Sequence, residues 1–222
     1  MESAGAGIPL NPGVAGVHKD VAIPPEPPDI GARSMYIAGR LLAGASTFFF
    51  LAFLFAFFYL RSLDENHMWK PADVKPDQAL GAVVVACVVV SALLAILAGR
   101  QMKRHSGAWV VAAGCSLALG LAAVAAQCIQ YTVQHFGPTN GGYASVFCGW
   151  TGLYALAVLT TMYWIETQVA TELRARREPA SAHHGDIAEA DRLIAPSLDA
   201  AVFFWSYLAG IGVVTWITLY LV

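Results

Sequence analysis

The stretch GLAAVAAQCIQY, residues 120–131, runs through small apolar residues and then presents two glutamines three positions apart. A segment of this composition suits lipid or the interior of a tightly packed helix bundle. Residues three apart on a helix share a face, so Gln127 and Gln130 are expected side by side near the end of an apolar helix. Buried amides need hydrogen-bond partners, which raises the question of why amides stand here instead of carboxylates.

The composition extends this interpretation to the whole chain. Hydrophobic residues make up 57% of the 222 residues and charged residues 13%, against about 25% charged in soluble domains. Five segments lack Asp, Glu, Lys and Arg and reach the length of about 20 residues that a bilayer core requires. We therefore expect an all-α membrane protein, a five-transmembrane-helix bundle. The expected spans are 41–60, 79–98, 108–131, 143–165 and 201–222.

The segments outside the spans predict the domain organisation and the orientation. Residues 1–35 are rich in proline and glycine and contain no apolar signal-peptide core, so a flexible cytoplasmic tail is expected there. The five-helix domain is expected over 36–222, with a long loop over 166–200. Ten of the 13 Lys and Arg residues are cytoplasmic if the N-terminus is inside and the C-terminus outside. The net charge of −2 without a basic block does not support nucleic-acid binding.

The span interiors lack the usual ligands of cofactors. All six histidines fall in loops, tails or span edges, including the adjacent His183 and His184, which a solvated loop explains better than a metal site. The four cysteines form no CxxC pair, so we interpret them as small buried residues that pack helices. We therefore expect no catalytic residue, haem or metal in this chain. The cysteines are Cys87, Cys115, Cys128 and Cys148.

Residues 142–158, GYASVFCGWTGLYALAV, resemble subunit III of the haem–copper oxidases, whose pattern here is close to YGSxFFxxTGFHGLHV. The family also has a glutamine three residues before a Glu-Tyr pair at the end of the preceding helix. Gln127 and Tyr131 fit that motif, and Gln130 stands where the family has glutamate. The matching residues of the main stretch are Tyr143, Ser145, Phe147, Thr151, Gly152, Leu156 and Val158.

Weaker matches follow in the same order along the chain. Ser46 and residues 54–56 fit the family's first-span pattern SExxFFxxLFAxY, and MWKP at 68–71 resembles its Trp-Pro loop element. Residues 203–222 resemble the closing helix of the family. The resemblance covers roughly 36–222 and implies the short five-helix form of a cytochrome c oxidase subunit III-like fold.

The chain departs from the family at its ionisable positions inside the membrane. All six carry neutral residues, which removes costly titratable groups from the spans. Gln130 keeps the hydrogen-bonding capacity of glutamate without titrating. We interpret the remaining polar residues, Gln127, Gln130, Tyr131, Thr151 and Tyr154, as a network that packs helices; the alternative is that the two amides face interfacial water. The neutralised positions are Thr47, Gln130, Tyr154, Ala157, Ser206 and Ala209.

The resemblance implies an accessory subunit of a respiratory terminal oxidase in a bacterial-type plasma membrane. Such a subunit packs on catalytic subunit I, also with subunit II, in a hetero-oligomer; it holds phospholipid, while haem and copper lie in the partners. Alternatives are an accessory subunit of a quinol oxidase or nitric oxide reductase, or a neutral-solute transporter. Possible lipid or subunit contacts are Phe48, Phe49, Phe50, Phe53, Phe55, Arg61 and Trp69.

Overall fold

The computed structural model describes residues 28–64, 68–177 and 185–222. Five helices are long and apolar enough to cross a membrane, which confirms the expected all-helical bundle of five spans. Residues 1–27, which form most of the expected flexible tail, lie outside the described residues, as do His183 and His184. The helices are α1 (Pro28–Ser62), α2 (Gln78–Lys103), α3 (Trp109–Val133), α4 (Gly142–Arg177) and α5 (Gly185–Trp216), which continues as a π-helical turn, Ile217–Leu221.

Three helix boundaries differ from the expectation. α1 begins at Pro28, inside the segment expected to be a flexible tail, and a proline is well tolerated at the first helical position. α4 continues to Arg177 and α5 begins at Gly185, where a long loop was expected over 166–200. The apolar runs end well before the helices do, so a search for apolar runs underestimates the helix lengths.

Polar contacts explain why α4 extends beyond its apolar run and why the early part of α5 packs against it. Arg176 Nε lies 2.7 Å from Glu172 Oε1, a pair one turn apart that stabilises an exposed helix. The same guanidinium donates to the Gly107 carbonyl oxygen across 3.3 Å, which joins the end of α4 to the loop between α2 and α3. Trp164 Nε1 donates to Ser197 Oγ across 2.9 Å and joins α4 to the early part of α5.

α5 occupies the centre of the bundle and packs against α1, α2 and α4. α2 and α3 form the most extensive pair, and α3 also packs against α4. Gly120 of α3 is buried against Met162, and a larger residue there would overlap the methionine side chain. Gly212 of α5 is covered by the Tyr154 ring in the same way. Small residues thus let the helices approach closely, as expected for packing in lipid.

α1 is the most exposed of the five helices, and its packing partners are α4 and α5. Ala43, Phe50 and Phe57 are buried and spaced by seven residues, so they form one stripe facing the bundle. Phe48 and Phe55 are 77% and 69% exposed. Because successive residues turn by about 100° around a helix, the aromatic run divides into a buried stripe and an outward surface.

The two ends of the bundle are marked by Tyr220 and Lys103. The Tyr220 end holds the start of α2 and the end of α5, and the Lys103 end holds the end of α2 and the start of α5. At the Tyr220 end, the loop after α1 folds back onto the bundle. Trp69 is buried against the rings of Phe57 and Tyr143, and its carbonyl oxygen accepts from Tyr143 N across 2.9 Å.

Candidate functional site

Gln127 and Gln130 are both buried, and their amides form a hydrogen-bonded group with Asp77 and Tyr220. Gln127 Nε2 donates to Gln130 Oε1 across 3.3 Å. Gln130 Nε2 donates to the Asp77 carbonyl oxygen (3.2 Å) and to the Tyr220 hydroxyl (2.8 Å), which also lies 3.0 Å from Gln130 Oε1. We call these four residues the amide cluster, and it joins α3 to the start of α2 and the end of α5.

The amide cluster gives a physical reason for an amide at position 130. An amide both donates and accepts, whereas an ionised carboxylate only accepts. The nitrogen of Gln130 lies against the carbonyl oxygen of Asp77. An ionised glutamate in its place would set two acceptors against each other at a buried position, which is costly. The glutamine therefore makes a bond that a glutamate at this position could make only when protonated.

Tyr220 reaches the amide cluster because α2 has a glycine opposite its ring. Gly81 is buried, and a Cβ at this position would overlap the Tyr220 ring. Tyr220 itself belongs to the π-helical turn Ile217–Leu221. Turns of this kind are rare and often occur at functional sites. The glycine and the π turn together bring the hydroxyl to Gln130.

Two further hydrogen bonds hold the π-helical turn. The Tyr143 hydroxyl of α4 donates to the Leu219 carbonyl oxygen across 2.5 Å. Gln78 Nε2 of α2 donates to the Tyr220 carbonyl oxygen across 3.2 Å. The last carbonyl oxygens of a helix have no partner within it, so such side-chain donors satisfy them. The end of α5 is thus fixed by side chains of α2, α3 and α4.

The other residues of the predicted polar network form further links between helices. The Tyr131 hydroxyl lies 2.6 Å from Thr151 Oγ1 and joins α3 to α4. Thr151 Oγ1 donates to the Phe147 carbonyl oxygen across 2.6 Å, so it accepts from Tyr131. The Tyr154 hydroxyl donates to the Leu208 carbonyl oxygen across 2.9 Å and joins α4 to α5. Of these links, the Tyr131–Thr151 pair touches the amide cluster, because the Tyr131 hydroxyl also interacts with the Gln127 side chain, whereas Tyr154 bonds to the backbone of α5.

The six neutralised positions lie in two places. Gln130 belongs to the amide cluster, whereas the others lie on or beside residues 204–209 of α5. Thr47 Oγ1 donates to a carbonyl of its own helix and lies 2.9 Å from the Tyr207 hydroxyl, so it accepts from Tyr207. Ser206 Oγ donates to a carbonyl one turn earlier. The hydroxyls at these positions are thus bonded within and between helices. The five positions beside α5 are Thr47, Tyr154, Ala157, Ser206 and Ala209.

A buried polar group that the sequence reasoning missed joins α2, α3 and α5. Ser91 and Ser116 are fully buried, and each hydroxyl donates to the other residue's carbonyl oxygen, across 2.6 and 2.8 Å. Trp205 Nε1 donates to Ser91 Oγ across 3.1 Å. We call these three residues the serine cluster. A signal was available, because Trp205 lies inside an apolar run instead of at a membrane interface, where tryptophan is enriched.

The expected lipid or subunit contacts divide into exposed and buried sets. Phe50 and Trp69 are only 4% and 8% exposed, so neither belongs to the open outer surface, although Phe50 lines the groove between α1 and α4 that is described below. Phe50 belongs to the buried stripe of α1, and the loop after α1 turns Trp69 inward. Phe53 is half-buried and stacks on the ring of Trp150. The exposed members of the set are Phe48, Phe49, Phe55 and Arg61.

The loop between α1 and α2 carries positive charge close to aromatic side chains. The Lys70 ammonium lies 4.2 Å from the centre of the Tyr143 ring. Burial, together with the charges of Arg61 and Lys75, lowers the pKa of Lys70 from its ordinary value. The negative face of the ring acts in the opposite direction, because it favours the charged form. The loop thus places the Lys70 side chain against an aromatic ring at the Tyr220 end of the bundle.

A groove of about 240 Å³ opens between α1 and α4, with α5 as its floor. Phe49 and Phe50 line it from α1, and Ala157, one of the neutralised positions, lines it from α4. Phe204 closes it from α5. The lining is almost wholly apolar, so the groove suits a hydrocarbon chain better than a polar solute.

The cavities next to the interior polar residues are small. Two of them border Gln127 and measure about 10 and 20 Å³. A space of this size holds at most about one water molecule. Thr161, on α4, donates to the Ala157 carbonyl oxygen across 2.8 Å. The side chains of Gln127, Gln130 and Thr161 therefore bond to other side chains or to backbone carbonyls, and the two cavities that border Gln127 are too small for a solute.

Within residues 28–64, 68–177 and 185–222, no group of three or more His, Cys, Asp or Glu residues is placed to hold a metal ion. The four cysteines are free. Cys115 and Cys128 are exposed, which corrects the expectation of buried packing. Their neighbours Ser116 and Gln127 face the interior, so these cysteines turn outward on α3.

No protein-family model matches the chain, and no curated protein matches it significantly.

Proposed function

We propose that the protein is the accessory subunit III of a respiratory haem–copper terminal oxidase of the cytochrome c oxidase type. In this role it packs on catalytic subunit I, in a hetero-oligomer that also contains subunit II, and it supports lipid binding and integrity of the complex. Haem and copper belong to the partner subunits. The proposal rests on the resemblance of residues 142–158 to the family and on the order of the weaker matches.

The pairing of interior polar groups supports this proposal over a transport function. Gln130, Tyr131 and Tyr154 each link two helices by a hydrogen bond. A transporter for a neutral solute would need such groups to face a common aqueous space. The cavities beside Gln127, at about 10 and 20 Å³, have no room for one. Interior groups used for packing agree with a subunit whose own role is structural.

The proposed orientation follows from the Lys and Arg residues. With the N-terminus in the cytoplasm of a bacterial-type plasma membrane, the Lys103 end faces the cytoplasm and the Tyr220 end faces outward. The outward surface of α1, with Phe48 and Phe55, is then the proposed contact for subunit I or lipid. The groove between α1 and α4 is the proposed place for a phospholipid chain.

The test is purification of the tagged chain from its native membrane in mild detergent, with a reduced-minus-oxidised optical spectrum. We expect haem and a large catalytic subunit to co-purify. The positions of the haem bands, with the copper content, would distinguish a cytochrome c oxidase from a quinol oxidase or a nitric oxide reductase. A colourless, homogeneous protein from fully assembled membranes would reject the proposal and favour the transporter.

Paired variants test the contact surface of α1. Phe48→Ala with Phe55→Ala is expected to lower the haem recovered per tagged chain several-fold. Val111→Ala with Leu121→Ala, at exposed positions of α3, is the matched control and should leave recovery unchanged. If neither pair changes the recovery, the α1 surface faces lipid, while co-purified haem still supports the subunit assignment.

A further inference from the structure

A cleft of about 540 Å³ opens at the Lys103 end, between α1, α5 and the end of α2. It is separate from the groove between α1 and α4, and neither the amide cluster nor the serine cluster borders it. Its walls combine apolar side chains with two cations and one carboxylate. They include Tyr36, Arg40, Lys103, Asp199, Val202 and Phe203.

Arg40 is held in the cleft by aromatic rings. Its guanidinium carbon lies 3.2 Å from the centre of the Tyr36 ring and 4.7 Å from that of Phe203. Arg40 Nη1 also donates to the Tyr36 carbonyl oxygen across 3.3 Å. A guanidinium has five N–H donors, so most of them remain available for another acceptor. No carboxylate of the described residues forms an ion pair with Arg40.

Lys103 supplies the second cation. Its ammonium lies 2.8 Å from Asp199 Oδ2, and the two side chains are 66% and 45% exposed. An exposed pair of this kind contributes little, so Lys103 can exchange the carboxylate for another anion at small cost. With Arg40, Lys103 and Asp199 counted together, the cleft keeps a net positive charge.

The charged residues of the cleft lie at the level of a membrane surface. Arg40 directly precedes the apolar run 41–60, and Asp199 precedes the run 201–222. Lys103 is the last residue of α2, just beyond the run 79–98. Phosphate headgroups occupy this level of a bilayer, and basic pockets between helices on the cytoplasmic side bind anionic headgroups.

An exposed apolar stripe continues from the cleft along α5. It begins at Phe203 and passes through Gly210 and Val214 to Ile217, all of them exposed and spaced by three, four or seven residues. The stripe is roughly 20 Å long at the helical rise per residue. Half of a bilayer's hydrocarbon core is about 15 Å, so the stripe can cover an acyl chain. A free inorganic anion would have no contact with it.

We propose that this cleft binds an anionic phospholipid, with Arg40 and Lys103 as ligands of the headgroup phosphate and the α5 stripe as the surface for an acyl chain. Arginine and lysine both bind phosphate oxygens by charge-assisted hydrogen bonds. Tyr36 and Phe203 hold the guanidinium in place, so little side-chain freedom is lost on binding. The proposal does not depend on the oxidase assignment, because every group that it uses belongs to this chain.

The experiment uses the full chain, delipidated in detergent and titrated with phosphatidylglycerol or phosphatidylcholine, with bound lipid counted by native mass spectrometry. Two cationic contacts predict that phosphatidylglycerol binds at least about tenfold more tightly. Millimolar inorganic phosphate is the headgroup-only probe. It is expected not to displace phosphatidylglycerol, because it lacks the acyl contact.

Two variants are expected to act in opposite directions. Arg40→Gln should lower the affinity for phosphatidylglycerol about fivefold or more and lower that for phosphatidylcholine less, because the choline cation of phosphatidylcholine already offsets its phosphate charge. Asp199→Asn should raise it, because it frees Lys103 from its carboxylate partner. A gain of affinity cannot come from a misfolded protein. Arg174→Gln is the matched control, since Arg174 is exposed at the same end of the bundle but on α4, outside the cleft.

Several results would overturn the proposal. They are equal affinity for the two lipids, weaker binding in Asp199→Asn, and an equal loss in Arg174→Gln and Arg40→Gln, which would mean diffuse surface charge. Displacement by inorganic phosphate would reassign the cleft to a free anion. None of these results bears on the co-purification of haem, so failure of this proposal and failure of the proposed function are distinguishable.

Discussion

At the Tyr220 end, α5 is held by buried, uncharged donors and acceptors, whereas at the Lys103 end it is held by an exposed ion pair and one indole. Gln130 and Tyr143 bond to the last turn of α5 from two helices. At the Lys103 end, the exposed side chains of Lys103 and Asp199 form an ion pair, and Trp164 Nε1 donates to Ser197 Oγ. The same helix thus has one end held mainly by buried neutral side chains and one end held by exchangeable charges.

The two ends of α5 differ in how each responds to the loss of a polar partner. A buried hydrogen bond has no water to replace a lost partner, so its removal leaves an unsatisfied group. An exposed ion pair is screened and can take a different partner at little cost. We therefore expect substitutions at the Tyr220 end to change the stability of the bundle, and substitutions at the Lys103 end to change mainly its ligands.

The largest effect is expected from two glycines on the same helix. At Gly81, a Cβ would overlap the Tyr220 ring, so Gly81→Ala should destabilise the protein by about 1–3 kcal/mol through overpacking. At Gly99 the nearest atoms, on Asp199 and Val202, are 3.7 and 3.8 Å from such a Cβ. Gly99→Ala should be neutral or stabilise by up to about 1 kcal/mol. Thermal unfolding in detergent measures both, and equal effects would remove the contrast between the ends.

The next effect concerns the amide cluster. Gln130→Leu removes the partner of the Tyr220 hydroxyl and one of the two donors to the Asp77 carbonyl oxygen, and we expect a loss of about 1–2 kcal/mol from interhelical bonds of the usual strength. Gln168→Leu is the control, because Gln168 bonds only to its neighbour Thr167 near the Lys103 end. Unfolding by titration with SDS compares the two. Unchanged stability in Gln130→Leu would show that the cluster does not hold the helices.

A smaller effect is expected at Tyr143. Tyr143→Phe keeps the ring among its aromatic neighbours and removes only the bond to the Leu219 carbonyl oxygen. The expected loss is about 0.5–1 kcal/mol. Tyr163→Phe, at a side chain that is 67% exposed, is the control and should have no effect. Comparison of the two melting temperatures checks the prediction, and a larger shift in the control would contradict it.

The smallest effect on stability is expected at the Lys103 end. Lys103→Gln removes the pair with Asp199, whose side chains are exposed, so the loss should not exceed about 0.5 kcal/mol. The shift should shrink further as salt is raised, since exposed charges are screened. Melting curves at low and high salt measure it. A loss as large as that of Gln130→Leu would mean that the two ends of α5 are fixed equally strongly.

The sequence predicted the five helices because each contains an uncharged apolar run long enough to span a bilayer. It also placed Gln127 and Gln130 on one face of α3, which follows from helical spacing alone, and burial of that face was one of the two alternatives that the sequence left open. It did not predict their partner, because Tyr220 reaches Gln130 through a π-helical turn and past Gly81. A π-helical turn of this kind leaves no pattern in the order of apolar residues along the sequence.

Other features escaped prediction for different physical reasons. The aromatic run of α1 is hydrophobic all round, so its pattern did not separate the buried Phe50 from the exposed Phe49. The end of α4 is helical through charged side chains such as Arg176, which a hydropathy criterion reads as loop. The serine cluster depends on a contact between Ser91 and Ser116, which lie on different helices, and the indication that the sequence offered was not a serine but Trp205, an indole inside an apolar run.

The packing of α1 has a consequence for the order of assembly during synthesis. Of the five described helices, α1 is made before the others, yet its packing partners are α4 and α5, which are made after α2 and α3. α2 and α3 follow each other directly and form the most extensive pair, so they can associate while α4 is still being made. Until α4 and α5 are inserted, α1 lies in the bilayer without its packing partners. Its surface of uncharged phenylalanines is compatible with contact with lipid during that time.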